Sequence, residues 1–191
     1  GALSAGLLAC TLSGGAGATS EVPAATPTAT QLAIGAPASA FDTFLNRLMR
    51  SESNGQDTAK NPRSTALGAF QFINSTFLEV MRRHFPGDVA NMNESDILAL
   101  RTDRGIARRA AEAFSKENLD YLADRGLKPT FGHLRLAFLL GRVGAARVLE
   151  APPAKPVTEI LDDRVVTANP FMRRMSAADL IARAHRDVGA T

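Results

Sequence analysis

Glu52 is the residue in this sequence whose type and position best suit chemistry. Phe41, Leu45, Leu48 and Glu52 are spaced by four, three and four residues, so they share one face of a predicted helix. Apolar surroundings and the negative end of the helix dipole both disfavour a charged carboxylate, so we predict a raised pKa for Glu52. A carboxyl group that stays protonated near neutral pH can donate a proton and then take one back. The structural alternative is a solvated glutamate at a frayed helix end.

A longer motif begins at Glu52. Residues 52–76 read ESNGQDTAKNPRSTALGAFQFINST. This stretch resembles the active-site signature of the peptidoglycan lytic transglycosylases, which is Glu-Ser, a variable loop, and then Ser-x-x-x-Gly-x-x-Gln. The matching positions here are, in order, Glu52, Ser53, Ser64, Gly68 and Gln71.

Two later segments resemble the same family, including its phage-like or rhizobial-type branch. They read LRLAFLLGRVGAARVL and TANP, so that the resemblance extends over about residues 41–171. It implies a mainly α protein, with a lysozyme-like helical domain of the goose or soluble-lytic-transglycosylase type and a substrate cleft. It also implies cleavage of the β-1,4 bond between N-acetylmuramic acid and N-acetylglucosamine without water, giving 1,6-anhydromuramyl ends.

The resemblance implies specific roles for the motif residues. Glu52 would be the sole catalytic acid and base, and Ser64 and Gln71 would line the sugar groove. Gly68 would let the backbone approach closely where a side chain would collide. We add three candidate substrate-binding residues outside these roles, namely Ser53, Phe70 and Phe138. Phenylalanines at the spacing seen in residues 70–77 are also typical of a hydrophobic core.

One segment departs from the family pattern. Family members often carry a tyrosine in the apolar helix, where this chain has Arg135, Phe138 and Leu139. We therefore expect a hydrogen bond to the catalytic glutamate or to the substrate to be missing. This leaves open a second class of function, a peptidoglycan-binding or scaffold module without catalysis.

A hydrolytic muramidase is a closer alternative. A conventional glycosidase needs a second carboxylate, either to activate water or to act as nucleophile. Asp57 is close to Glu52 in sequence, and folding could bring other acidic residues near it. The candidates for that partner are Asp57, Asp88, Glu94 and Asp103, each of which is more typical of a helix cap or a surface position.

The composition is that of a soluble globular domain with tails. The chain has 191 residues, of which 45% are hydrophobic and 21% are charged, and its net charge is +3. With no tryptophan and one tyrosine, it has few flat side chains on which to stack bases, so we expect no nucleic-acid partner. His84, His133 and His185 lack metal-ligand spacing, and we expect neither a metal site nor a cofactor.

The N-terminal part of the chain differs in composition from the rest. Residues 1–18 are apolar and rich in small residues, like the latter part of a secretory signal, and 19–40 read as a flexible Ala/Thr/Pro linker. We predict a lysozyme-like transglycosylase domain at 41–191. We also predict export to the periplasm of a Gram-negative bacterium, with Cys10 as a candidate lipid anchor. A disordered Ala/Gly-rich N-terminus is the alternative.

The expected partners follow from the predicted activity. They are peptidoglycan glycan strands and an envelope-spanning secretion or flagellar assembly, with the protein itself a monomer.

Hydrophobic periodicity and capping residues predict a mainly helical domain. The predicted helices span 41–52, 74–84, 103–124, a segment from Phe131 that Gly141 divides, 164–168 and 176–186.

Overall fold

The domain is built from helices. The computed structural model describes residues 39–62 and 64–189, of which 70% are helical and none lies in a strand, so the predicted mainly α class is confirmed. The predicted segment 1–18, including Cys10, and all but the last two residues of the predicted linker lie outside the described residues. The α-helices are α1 (Ala40–Ser53), α2 (Asn74–His84), α3 (Pro86–Val89), α4 (Glu94–Ala99), α5 (Arg104–Asp124), α6 (Phe131–Glu150), α7 (Asp163–Ala168) and α8 (Ala177–Val188).

The ends of these helices follow local chemistry. Asp103 caps α5 by accepting a hydrogen bond from the Ile106 amide, and Gly126 follows the helix with a φ of 72°. Gly141 has a φ of 72° and a ψ of 159°, which interrupts α6 as predicted. Helix α2 begins without a side-chain cap, because Ile73 precedes it and makes no capping hydrogen bond.

Helix α6 lies at the centre of the domain. It packs against α5 and α8, and α8 also contacts α1. One hydrophobic cluster joins α1, α2 and α5 through Phe44, Phe77 and Ala110, all fully buried. A second cluster joins α6 to α8 and includes Leu136 and Leu180. Within 39–62 and 64–189, no helix is both long and apolar enough to cross a membrane.

The segment between α1 and α2, residues 54–73 (the 54–73 loop), is held by isolated antiparallel bridges and by Arg101. The bridges join Leu67 to Lys60 and to Phe72. Arg101 is buried, and its Nη1 donates hydrogen bonds to the carbonyls of Thr65 at 2.7 Å and Phe72 at 3.1 Å. Since backbone carbonyls satisfy this buried cation, Arg101 ties the loop to the rest of the domain through main-chain hydrogen bonds.

Candidate active site

Glu52 lies in the last turn of α1, where the helix stops abruptly. Asn54 takes the left-handed conformation with a φ of 55°, and Gly55 follows at 79°, which turns the chain out of the helix. The buried residues of α1 include Leu45 and Leu48, which precede Glu52 on the predicted stripe. The Glu52 side chain is 15% exposed, so the solvated alternative does not describe it.

A surface pocket of about 570 Å³ opens beside Glu52; we call it the Glu52 pocket. Its lining comes from the end of α1, the 54–73 loop, α2, α5, α6 and α7. Four of the predicted site residues lie in this lining: Glu52, Ser64, Gln71 and Phe138. The structure therefore brings together residues that the sequence separates by as many as 86 positions, since 138 minus 52 is 86.

The apolar part of the Glu52 pocket is aromatic. Phe138 packs on Phe72 with ring centroids 5.3 Å apart and meets Phe114 edge-on at 5.5 Å. All three rings line the pocket. Sequence reasoning did not find Phe114, whose position in the long Ala/Arg-rich α5 is indistinguishable from a core position. Phe72 is 3% exposed, so the partly exposed Phe114 and Phe138 supply most of the aromatic surface that a ligand could reach.

Ser64 and Gln71 supply polar groups. Gln71 has a φ of 50°, and its Nε2 donates to the carbonyls of Ala59 at 3.0 Å and Gly68 at 2.8 Å. Both of its amide hydrogens are thus used within the loop, which leaves Oε1 as the atom that can accept a bond from a ligand. Ser64 is exposed, and its hydroxyl oxygen accepts a hydrogen bond from the Ala66 amide. The hydroxyl hydrogen of Ser64 can still be donated to a ligand.

The three other predicted site residues do not line the Glu52 pocket. Phe70 is fully buried in the core, because its ring points into the cluster shared by α1 and α2. The Ser53 hydroxyl donates to the Ala69 carbonyl at 2.7 Å and so ties the end of α1 to the loop. Gly68 does permit a close approach, but what approaches is the backbone of Arg101, whose carbonyl oxygen would lie 2.0 Å from an added Cβ.

Arg135 is the direct partner of Glu52. Its Nη1 donates a hydrogen bond to Glu52 Oε1 at 2.9 Å, and the arginine side chain is 8% exposed. The expectation of a missing hydrogen bond to the glutamate is therefore wrong, because an arginine of α6 reaches it. The signal was present in the sequence, since Arg135 is the lone charge in the apolar run LRLAFLL, and a buried arginine requires a partner.

Asp187 completes a three-residue group. Its Oδ2 lies 3.3 Å from Arg135 Nε, so one guanidinium contacts two carboxylates from two other helices. Burial raises the pKa of Glu52, the positive charge of Arg135 lowers it, and the negative charge of Asp187 raises it. The net direction is upward, as predicted, because burial exceeds the attraction of Arg135.

The acidic residues considered as second carboxylates lie elsewhere. Asp57 pairs with Arg104 at 2.9 Å, and Asp88 and Glu94 pair with other exposed arginines. Asp103 is the N-cap of α5. Among the described residues that line the Glu52 pocket, Glu52 is the one carboxylate, and Arg164 is the one cation.

The raised pKa predicts a pH-dependent gain of stability in the Glu52→Gln variant. The folded-state pKa lies above the ordinary value of 4.5, so the stability tied to the protonated carboxyl is present below that value. It is lost as the pH rises through the folded-state pKa, because a largely buried group must then ionise. The neutral glutamine avoids this loss, so its advantage over the wild type grows with pH.

Urea unfolding at about pH 4, 6 and 8 measures this difference in free energy of unfolding. Glu159→Gln is the matched control, because it makes the same chemical change at an exposed position. A Glu52→Gln advantage that shrinks as the pH rises would show that Glu52 is ionised more easily in the folded protein than in the unfolded chain.

Comparison of the sequence with protein-family models finds no match, and comparison with curated proteins finds none either. The functional assignment therefore depends on the motif around Glu52 and on the geometry of its pocket.

Proposed function

We propose that this protein is a lytic transglycosylase of lysozyme-like fold, which cleaves the N-acetylmuramic acid to N-acetylglucosamine bond of peptidoglycan without consuming water. The observation that carries the proposal is a shielded glutamic acid that is the one carboxylate among the described residues lining its pocket. A single carboxylate suits a reaction in which the substrate supplies its own nucleophile, whereas hydrolysis by the usual routes uses two.

The proposed reaction has two proton transfers through Glu52. In the first, the protonated carboxyl gives its proton to the glycosidic oxygen, and the bond between this oxygen and the muramic C1 breaks. In the second, the Glu52 carboxylate removes the proton from the muramic C6 hydroxyl, whose oxygen then bonds to C1. Glu52 ends protonated again, and the products are a free 4-hydroxyl and a 1,6-anhydro ring.

Arg135 stabilises the Glu52 carboxylate between these two proton transfers. Once Glu52 has lost its proton, the hydrogen bond from Arg135 Nη1 acts on a carboxylate and becomes charge-assisted on both sides. The same contact orients the carboxyl group, since it engages Oε1 and leaves Oε2 for the substrate. If the charge of Arg135 lowered the pKa of Glu52 too far, Glu52 would be ionised and could not act as an acid. The effect of burial on this pKa therefore has to exceed the effect of Arg135.

The remaining lining suits a glycan strand. The partly exposed rings of Phe114 and Phe138 offer apolar surface for sugar rings, and Gln71 Oε1 can accept a bond from a sugar hydroxyl or acetamide N–H. Arg164 of α7 is exposed at the same pocket and makes no ion pair with a described residue. Its charge can attract the carboxylates of the lactyl group or stem peptide.

The substrate also bears on location and partners. Peptidoglycan lies outside the cytoplasmic membrane, so the proposal requires export to the periplasm, in agreement with the predicted signal segment. Local opening of the wall would admit an envelope-spanning secretion or flagellar assembly, which is the class of partner we propose.

Mass spectrometry of the digestion products tests the proposed reaction. Purified peptidoglycan is digested in water enriched in oxygen-18. We expect muramyl ends that are one water lighter than reducing ends and carry no heavy oxygen. Reducing ends that contain oxygen-18 would overturn the proposal in favour of a hydrolytic muramidase. Release of no fragments, with retention of the protein on peptidoglycan, would favour a binding module instead.

A further inference from the structure

One cation in the site faces two acids. Arg135 Nη1 is hydrogen-bonded to Glu52, whereas Arg135 Nε lies 3.3 Å from Asp187 Oδ2 without forming a hydrogen bond of acceptable geometry. The side chains of Glu52, Arg135 and Asp187 are 15%, 8% and 24% exposed. Asp187 therefore acts on this group mainly through its charge, at a distance where water screens it only partly.

The place of Asp187 beside α1 is set by the end of α8. Arg47 of α1 donates a hydrogen bond from Nη1 to the carbonyl of Val188 at 2.9 Å, and Val188 is fully buried. Gly189 follows with a φ of 73°, and an added Cβ there would lie 2.6 Å from Arg47 Nη1. Since the contacts of Arg47 with Val188 and Gly189 fix this end of α8, substitution of the Asp187 side chain should leave the helix in place.

We propose that Asp187 is a positioning residue: its charge competes with Glu52 for the Arg135 guanidinium, so that this group of one cation and two acids favours the protonated form of Glu52. The proposal rests on the proposed function for its role in catalysis. Glu52 is the acid whose protonated form this arrangement favours, because its side chain is 15% exposed and that of Asp187 is 24% exposed.

Among the described residues, Arg135 and Asp187 are the charged residues that shift the pKa of Glu52. Arg47 of α1 is a further cation on this side, since its guanidinium binds the Val188 carbonyl next to Asp187. Helix α7 brings Arg164 to the pocket, whereas α5 and the 54–73 loop contribute uncharged residues to its described lining. On α6 and α8, His133 packs against His185 at 5.5 Å outside that lining, and burial lowers the pKa of His133, which favours its neutral form.

Carbon-13 NMR of glutamate-labelled protein tests the proposal without any assay of activity. The Glu52 carboxyl signal is assigned by its loss in Glu52→Gln and is then titrated in the wild type and in Asp187→Asn. We expect its titration midpoint to move to lower pH in Asp187→Asn, because Arg135 is then free to favour the Glu52 anion. An unchanged or higher midpoint would overturn the proposal.

Three further variants complete the titration. Asp124→Asn changes the net charge equally at an exposed position with no ion pair to a described residue, so it should leave the Glu52 midpoint where it is. Asp187→Glu keeps the charge and should return the midpoint towards the wild-type value. Asp187→Ser provides a second neutral variant should Asp187→Asn fold poorly, and a wild-type midpoint in it would equally overturn the proposal.

The pH profile of peptidoglycan cleavage gives the catalytic readout. In Asp187→Asn we expect the alkaline limb of kcat to move to lower pH, with a loss on the order of tenfold at pH 7, the effect typical of one nearby charge. A merely structural role would lower kcat equally at every pH and would contradict the proposal. If the Glu52 midpoint moves in Asp187→Asn but the wild-type protein cleaves no peptidoglycan, the proposed function is refuted and the role of Asp187 is supported.

Discussion

The Glu52→Gln variant is expected to lose about 10²–10⁴-fold in the rate of glycan cleavage, the usual contribution of a positioned general acid or base. Glutamine has nearly the same shape and can still accept the Arg135 hydrogen bond through its oxygen. It cannot give a proton to the glycosidic oxygen, and it cannot accept one from the C6 hydroxyl. Release of soluble muropeptides from purified peptidoglycan, quantified by chromatography over time, measures the loss.

Glu159→Gln is the control for this experiment too, because it makes the same chemical change at an exposed position and should keep full activity. Unfolding of the variant is not expected to cause the loss of activity, since Glu52→Gln should be at least as stable as the wild type at neutral pH. A Glu52→Gln enzyme that retained more than about a tenth of the activity would remove Glu52 from the proposed mechanism.

The Gly68→Ala variant is expected to lower the free energy of unfolding by about 2–5 kcal/mol. Gly68 has a φ of 86°, a conformation that disfavours a side chain by about 1–2 kcal/mol. An added Cβ would also lie 2.0 Å from the Arg101 carbonyl oxygen, so the chain must move, at a further cost typical of overpacking, about 1–3 kcal/mol. Urea unfolding followed by circular dichroism measures the change.

Gly126→Ala separates the two causes. Gly126 has a φ of 72°, similar to that of Gly68, but no atom lies within 4 Å of its added Cβ. Only the conformational part should remain there, about 1–2 kcal/mol. Equal losses in the two variants would mean that the contact with Arg101 adds nothing, and that the 54–73 loop tolerates displacement from it.

Much of the helical framework was predictable from local signals. Helix α1 was predicted at 41–52 and spans Ala40–Ser53, because its apolar residues recur at helical spacing up to the left-handed turn at Asn54. Gly141 was predicted to divide α6, and it does so through a backbone conformation that favours glycine. These features depend on residues a few positions apart, which is the range over which sequence patterns report structure.

The aromatic residues show where such reasoning stops. Phe70 and Phe72 are two positions apart in one short segment and both belong to the core, yet Phe72, which is 3% exposed, also borders the Glu52 pocket while Phe70 does not. Phe114, which lay in no motif, lines the same pocket. The choice depends on how the 54–73 loop folds over α5 and α6, and that fold is held by buried Arg101 from another part of the chain.

The sequence by itself determined that a carboxyl group would end a buried helical stripe and that its ionised form would be disfavoured. Only the tertiary structure decided what surrounds that group. Arg135 and Asp187 come from helices far along the chain. Arg135 meets both Glu52 and Asp187 because α6 and α8 pack against each other and α8 also packs against α1. Charge interactions act through space over a few ångströms, so spacing along the chain predicts a lone charge in an apolar run but not the partner that it meets.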